Sequence, residues 1–305
     1  MAPPQPSYTR ATHSATYPAI DPSRSDLSTV GKVVVITGAS GGIGRGASSS
    51  FAVSGPRALI LLGRCSDALD ETATSVRAAF KELVVQTHQV DLCDMSALRD
   101  VLNNVTAEFG GIDILVHCAG VLAPVIPLLN VYPVTFLEGY KTTVIGTLNV
   151  AKAVVLANKD LREITFINLT TAGTLLPQSN GMGADVSSKM EAVNLLQSFA
   201  GGNPQVRLHH VHPGFLDTLI PTQLGESIQQ PFNFEGVSLS ADFLVWIASP
   251  EAKFLHGKLV FSAWDVEELK SLQREIVGGP PGIGELRLGF QESPGHIGDQ
   301  HLPDV

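Results

Sequence analysis

Seven short apolar runs, separated by longer stretches of helical period, constrain this chain more than any other feature. They are KVVVITG (32–38), ALILLG (58–63), LVVQTHQVD (83–91), IDILVHCAG (112–120), ITFINLT (164–170), VRLHHVHPG (206–214) and GKLVFS (257–262). Most are nearly continuous and rich in β-branched residues, which is how strands covered on both faces read. Strands alternating with helices join by right-handed crossovers, so the pattern predicts an α/β fold with a doubly wound, seven-stranded parallel sheet. The 305 residues, 44% hydrophobic and 16% charged, suit one large domain.

Charge and cysteine usage narrow the partners. A formal net charge of −9, with no Lys/Arg cluster to reverse it locally, argues against nucleic acid or an anionic membrane and leaves a small-molecule substrate. Cys65, Cys93 and Cys118 are odd in number and widely spaced. Neither a disulfide framework nor a zinc site is suggested, and a reducing, cytoplasmic setting fits. Residues 1–30 are rich in Pro, Ser and Thr without an apolar core, so they read as a flexible arm rather than a signal peptide or a span. The body covers 31–264. Residues 265–305 read as one helix, VEELKSLQREI, followed by an irregular Gly/Pro-rich tail.

The first functional signal is TGASGGIG, Thr37 to Gly44, which follows the first strand and opens a helix. Gly38, Gly42 and Gly44, with Ser40 and Ile43 between them, allow a tight turn that sets a pyrophosphate on the amides of a helix N-terminus.

With its Thr-Gly-x-x-x-Gly-x-Gly spacing this loop resembles that of the short-chain dehydrogenase/reductase family, and later stretches fall in that family's order. HQVDL carries Asp91 where the family holds the adenine amino group. HCAG, with Cys118, resembles the Asn-Asn-Ala-Gly turn, INLTTAG the segment ending in the catalytic serine, and HPGFLDT, with Gly214 and Thr218, the turn beside the nicotinamide carboxamide. FLHGKLVFSAWDVEEL resembles the end of divergent members common in fungal secondary-metabolite pathways. The resemblance implies a Rossmann-type sheet, a nicotinamide cofactor, and a homodimer or homotetramer formed through the helices bearing Thr143 and Lys189. It also places a substrate lid at about 219–238, whose composition suits an apolar ligand with some polar contacts, and implies a small apolar or polyketide-, terpenoid- or alkaloid-like metabolite as substrate.

At the end of the second strand, Gly63 stands where NAD-preferring relatives place a carboxylate, and Arg64 follows. A guanidinium suits a 2′-phosphate, so NADP(H) is favoured over NAD(H).

The catalytic positions depart from the family. The places of its tyrosine, lysine, serine and helix asparagine hold Asp185, Lys189, Thr171 and Thr143. Thr171 keeps a hydroxyl, and Thr170 would serve if the register shifts by one. Thr143 lacks an amide. A phenol starts near ~10 and is lowered by an ammonium, whereas a carboxyl starts near ~3.9 and is pushed lower still. Burial opposes that effect. The spacing predicts an Asp185–Lys189 ion pair across one helical turn. Tyr140 is an alternative proton donor if it faces the cleft. Three readings follow, in order: an NADP(H)-dependent oxidoreductase with an atypical proton-transfer site, for which iminium or conjugated substrates need little acid help; a non-redox isomerase, dehydratase or cyclase; and a catalytically silent binding protein. Cys118 reads as an apolar packer. The histidines of LHHVH read as strand residues rather than metal ligands.

Overall fold

Each of the seven apolar runs forms a strand: β1 Val33–Thr37, β2 Ala58–Gly63, β3 Val84–Gln89, β4 Ile114–His117, β5 Ile164–Leu169, β6 Val206–His212 and β7 Leu259–Phe261. The computed structural model describes residues 7–123, 125–158, 162–175, 181–214 and 236–278. The strands lie in the order β3-β2-β1-β4-β5-β6-β7, all parallel. Strand order reverses between β1 and β4, the place where open α/β sheets bind ligands beyond their carboxyl ends.

Period-2 alternation sorts the strand residues onto two cores. Val34 and Ile36 of β1 pack with α1 (Gly42–Ser54), α2 (Ser66–Ala79) and α7 (Val237–Ala248). Val33 and Val35 pack the other way, with α3 (Met95–Phe109), α5 (Gly146–Ala157) and α6 (Gly183–Gly201). Helix α3 shows why such segments become helices. Asp94 caps it by accepting from the Ser96 and Ala97 amides, and Leu98, Leu102, Val105 and Phe109 line its buried face at helical spacing. Between α4 (Pro133–Tyr140) and α5 the backbone winds into a π turn over Lys141–Ile145.

The segment expected to be a flexible arm is packed where it is described. Ile20 and Leu27 are fully buried in the first core. Thr12 bridges Trp264 in antiparallel fashion, the His13 amide donates to the Ala263 carbonyl at 2.7 Å, and the Arg10 and Ala11 amides donate to the Glu268 carboxylate. The His13 ring lies 2.8 Å from Asp265 and stacks on Tyr17, while the Thr16 hydroxyl donates to Asp242 at 2.6 Å. Composition misleads here because acids of α7 and of α8 (Val266–Ser271), together with a short bridge, satisfy the arm's polar groups, and none of these partners is near in sequence. The end of the chain holds α8 and α9 (Gln273–Gly278) where one helix was expected, and the remainder of the tail lies outside the described residues.

Candidate functional site

The carboxyl ends of β1, β2, β4, β5 and β6 carry most of the residues singled out from the sequence. Gly38 has φ +68°, and a Cβ there would meet the Ala119 amide nitrogen at 2.8 Å, so the glycine turn and the turn after β4 lie in direct contact. Gly44 opens the helix so close to the same turn that a Cβ would come within 2.2 Å of the Gly38 carbonyl oxygen. Gly41 caps α1, and added Cβ atoms at Gly41 and Gly42 would meet nothing within 4 Å. The turn is tight beneath and open above, the shape a diphosphate needs.

Arg45, which the sequence reading passed over, ties this turn together. Its guanidinium donates to the Ser40 carbonyl and to Thr72 Oγ1, both at 3.0 Å, and Thr72 in turn donates to the Ala39 carbonyl. Its place in the sequence, one residue beyond Gly44, lies just outside the TGASGGIG stretch that carries the phosphate-binding signal. Arg64 is exposed at the end of β2, its carbonyl accepting from Gln89. Asp91 is also exposed, with Oδ1 accepting from the Cys93 amide at 2.9 Å. Gly214 is described just beyond β6. Thr218 and nearly all of the expected lid lie outside the described residues, and the last two lid residues, Val237 and Ser238, open α7.

Beneath the site runs a buried polar row. Thr37, His117, Asn168 and His210 are register partners on β1, β4, β5 and β6. His117 bridges Thr37 Oγ1 and Thr147 Oγ1, each at 2.9 Å. The Ala119 amide donates to Thr37, and Thr147 donates to the Thr143 carbonyl, so Thr37 donates to His117 Nδ1 and the ring proton sits on Nε2. The chain runs from the glycine turn to the π turn. Burial holds the His117 pKa down to about 3. Asn168 donates to His210 Nδ1 at 3.1 Å, and the hydroxyls of Thr143 and Thr170 are buried with no hydrogen-bond partner among the described residues.

Helix α6 brings Asp185 and Lys189 to this edge. Asp185 is 7% exposed, and burial raises its pKa against the opposing pull of Lys189 and a hydrogen bond from the Ala123 amide. Lys189 reaches over the turn after β4, with Nζ 2.9 Å from where a Cβ on Gly120 would stand. Burial lowers its pKa, against Asp185 and Cys118. The expected ion pair is absent among the described residues: the two charges sense each other, but the carboxyl turns to the Ala123 amide and the ammonium to Gly120. The Ala123 contact had no signature in the sequence.

Thr171 accepts from the Gly173 amide at 3.2 Å, leaving its own proton to donate, while Thr170 is fully enclosed. Tyr140 is half-buried, stacks on Phe136 and senses the charge of Glu191, with no interaction joining it to Asp185 or Lys189 among the described residues. Cys118 packs against the first core, and burial pushes its thiol up to about 12. His209 and His210 are wholly buried in β6.

Comparison with known proteins agrees with this geometry. Residues 32–229 match the family model described as short chain dehydrogenase. The short chain dehydrogenase pigC of Monascus ruber is 32% identical over 285 residues, covering 89% of this chain and 91% of the relative. The short chain dehydrogenase/reductase nsrO of Aspergillus novofumigatus is 28% identical over 281 residues, covering 90% and 94%. Among solved structures, NAD+-bound xylitol dehydrogenase superposes with a TM-score of 0.71 at 21% identity, covering 78% of this chain and 99% of that one. Carveol dehydrogenase from Mycobacterium avium in complex with NAD gives 0.69 at 21%, covering 76% and 96%.

Proposed function

The chain belongs to the short-chain dehydrogenase family, and from that premise we propose that it is an NADP(H)-dependent oxidoreductase of an apolar secondary metabolite, with an atypical proton-transfer site. The observation that carries this reading is the contact of the glycine turn with the Ala119–Gly120 turn, over which Lys189 is held. A Cβ at Gly38 or Gly44 would strike the backbone beneath and force the turn apart, while Gly41 and Gly42 leave its outer side open, so the residues present fit a dinucleotide. When bound, the nicotinamide supplies or accepts a hydride.

The protein's share is binding and placement. The amides at the start of α1 receive the diphosphate, Lys189 donates to a ribose, and Arg64, exposed at the end of β2, meets a 2′-phosphate. Asp91 takes the adenine amino group. Cys118 and Gly214 line the nicotinamide side together with Thr218, which lies outside the described residues. Thr171 donates to the substrate oxygen, supported by the Gly173 amide that its own oxygen accepts. Asp185 stands in the place the family gives to a tyrosine. Burial brings its carboxyl closer to neutral pH, where a group best exchanges protons. The names of the fungal relatives, all short chain dehydrogenases, support the same chemistry for this chain.

NADPH and NADH binding, followed by fluorescence and thermal shift, tests the reading. The expected outcome is saturable NADPH binding that Arg64→Asp weakens by about tenfold, with NADH affected less, since a charge-assisted bond is worth roughly 1.5–3 kcal/mol. Absence of binding to either nucleotide would sink it. A purified protein that transforms substrate without consuming the cofactor would instead point to a non-redox isomerase, dehydratase or cyclase.

A further inference from the structure

Asp185 occupies an unusual position for an acid. It is 7% exposed, yet the Ala123 amide is the one donor that its carboxyl meets among the described residues, and no ion pair closes on it. A carboxyl offers about four lone-pair sites, so most of its capacity is unused. Buried acids are ordinarily paired or fully hydrogen bonded. Leu128 lies against the start of α6, with Cδ1 2.8 Å from where a Cβ on Gly183 would stand, and Leu129, Tyr132, Val134 and Leu137, in and just before α4, are exposed apolar side chains.

We propose that Asp185 receives a nitrogen, and that the substrate is an apolar cyclic imine or iminium rather than a ketone. This rests on the oxidoreductase reading and deepens it. Hydride addition to a ketone leaves an alkoxide that must be protonated at once, the task a tyrosine performs. An imine nitrogen is far more basic than a carbonyl oxygen and takes its proton beforehand. Asp185 transfers its carboxyl proton to that nitrogen, leaving a carboxylate beside an iminium, a charge-assisted pair that fills the vacant acceptor sites. Addition of hydride to the iminium carbon then moves the C=N π pair onto nitrogen and gives a neutral amine. The two electrons arrive with the hydride from the reduced nicotinamide, and no further proton is needed. Burial raises the Asp185 pKa, so the proton is held to higher pH than on an exposed carboxyl. Of the nearby charges, Lys189 opposes a second cation, but its ammonium is directed to Gly120 and weakened by burial.

The test uses 3,4-dihydroisoquinoline, its permanently charged N-methyl iminium and the matched ketone α-tetralone. Ultraviolet difference spectra of the full-length protein without cofactor, at a pH where the free imine is neutral, read whether the bound imine is protonated. The wild type is expected to bind it protonated, and about tenfold or more tightly than the ketone, the margin of a charge-assisted over a neutral hydrogen bond. With NADPH added, Asp185→Asn is expected to lower turnover of the imine by a much larger factor than that of the N-methyl iminium, which loses the paired carboxylate but needs no proton; Asp185→Ser serves in its place if the amide variant does not fold. Binding of the imine in its neutral form, failure to bind it, or equal loss of ketone and both imines in the variants overturns the proposal. NADPH binding, measured separately, reports on the oxidoreductase reading itself.

Discussion

At Gly44 the whole cofactor argument can be put to one methyl group. A Cβ there has nowhere to go, because the obstacle at 2.2 Å is the Gly38 backbone and not a side chain that can swing away. Gly44→Ala is expected to open the turn, at a cost on the order of 1–3 kcal/mol, and so to weaken nucleotide binding about 5- to 150-fold while the protein still folds. Titration calorimetry against a circular-dichroism melt separates the two effects, and unchanged affinity would remove the turn from the cofactor site. Asp185 and Lys189 show a different lesson at the same scale. Four-residue spacing brings two charges to one helix face, but each has a better neighbour: an amide after β4 for the acid, the Gly120 turn for the lysine. Spacing along one helix predicts pairs only when nothing outside the helix competes.

Strands β4 and β6 load the sheet with histidines that cannot ionise where they are. Burial holds His117, His209 and His210 at a pKa of about 3 and His212 at about 4, against an ordinary 6.5. The folded state therefore binds fewer protons than the unfolded one below pH 6.5. The contribution is full above that pH and is lost as pH falls toward the folded pKa values. At pH 5 each histidine costs about 2 kcal/mol and the four together about 8 kcal/mol, comparable with the whole stability of a domain. The expected result is a melting temperature that drops steeply from pH 6.5 to 5, with a smaller drop for His209→Leu. A flat profile would mean these rings are protonated or exposed. The histidines illustrate how legibility varies between elements. All seven strands were readable because a doubly covered parallel strand is apolar nearly throughout, and LHHVH remained readable since its neighbours are so. The π turn at Lys141–Ile145 was not, because its one extra residue per turn leaves no mark on the hydrophobic period. The glycine turn was legible from its local spacing; Arg45 and the Ala123 amide act through contacts that only the assembled sheet creates.

For the whole molecule, the arm turns two ends of the chain into one surface. Removing residues 1–20 takes away the Ile20 side chain, worth about 1.5–3 kcal/mol buried, along with the bridge to Trp264 and the bonds to Asp242, Asp265 and Glu268. The melting temperature is expected to fall by about 5–10 °C, and the Trp264 emission to shift red while that of fully buried Trp246 stays. An unchanged melt would return the segment to the free arm its composition suggested. The same docking sets an order of events during synthesis. His13 leaves the ribosome 252 residues ahead of Asp265, so at about 5–20 residues per second it waits on the order of tens of seconds for its partner. Until then the stretch of arm around His13 has nothing to close on, and the turn ending at Ile20 lacks part of its seat, because it packs against α8 as well as α7; the clamp is finished only as the last strand and the helix after it emerge.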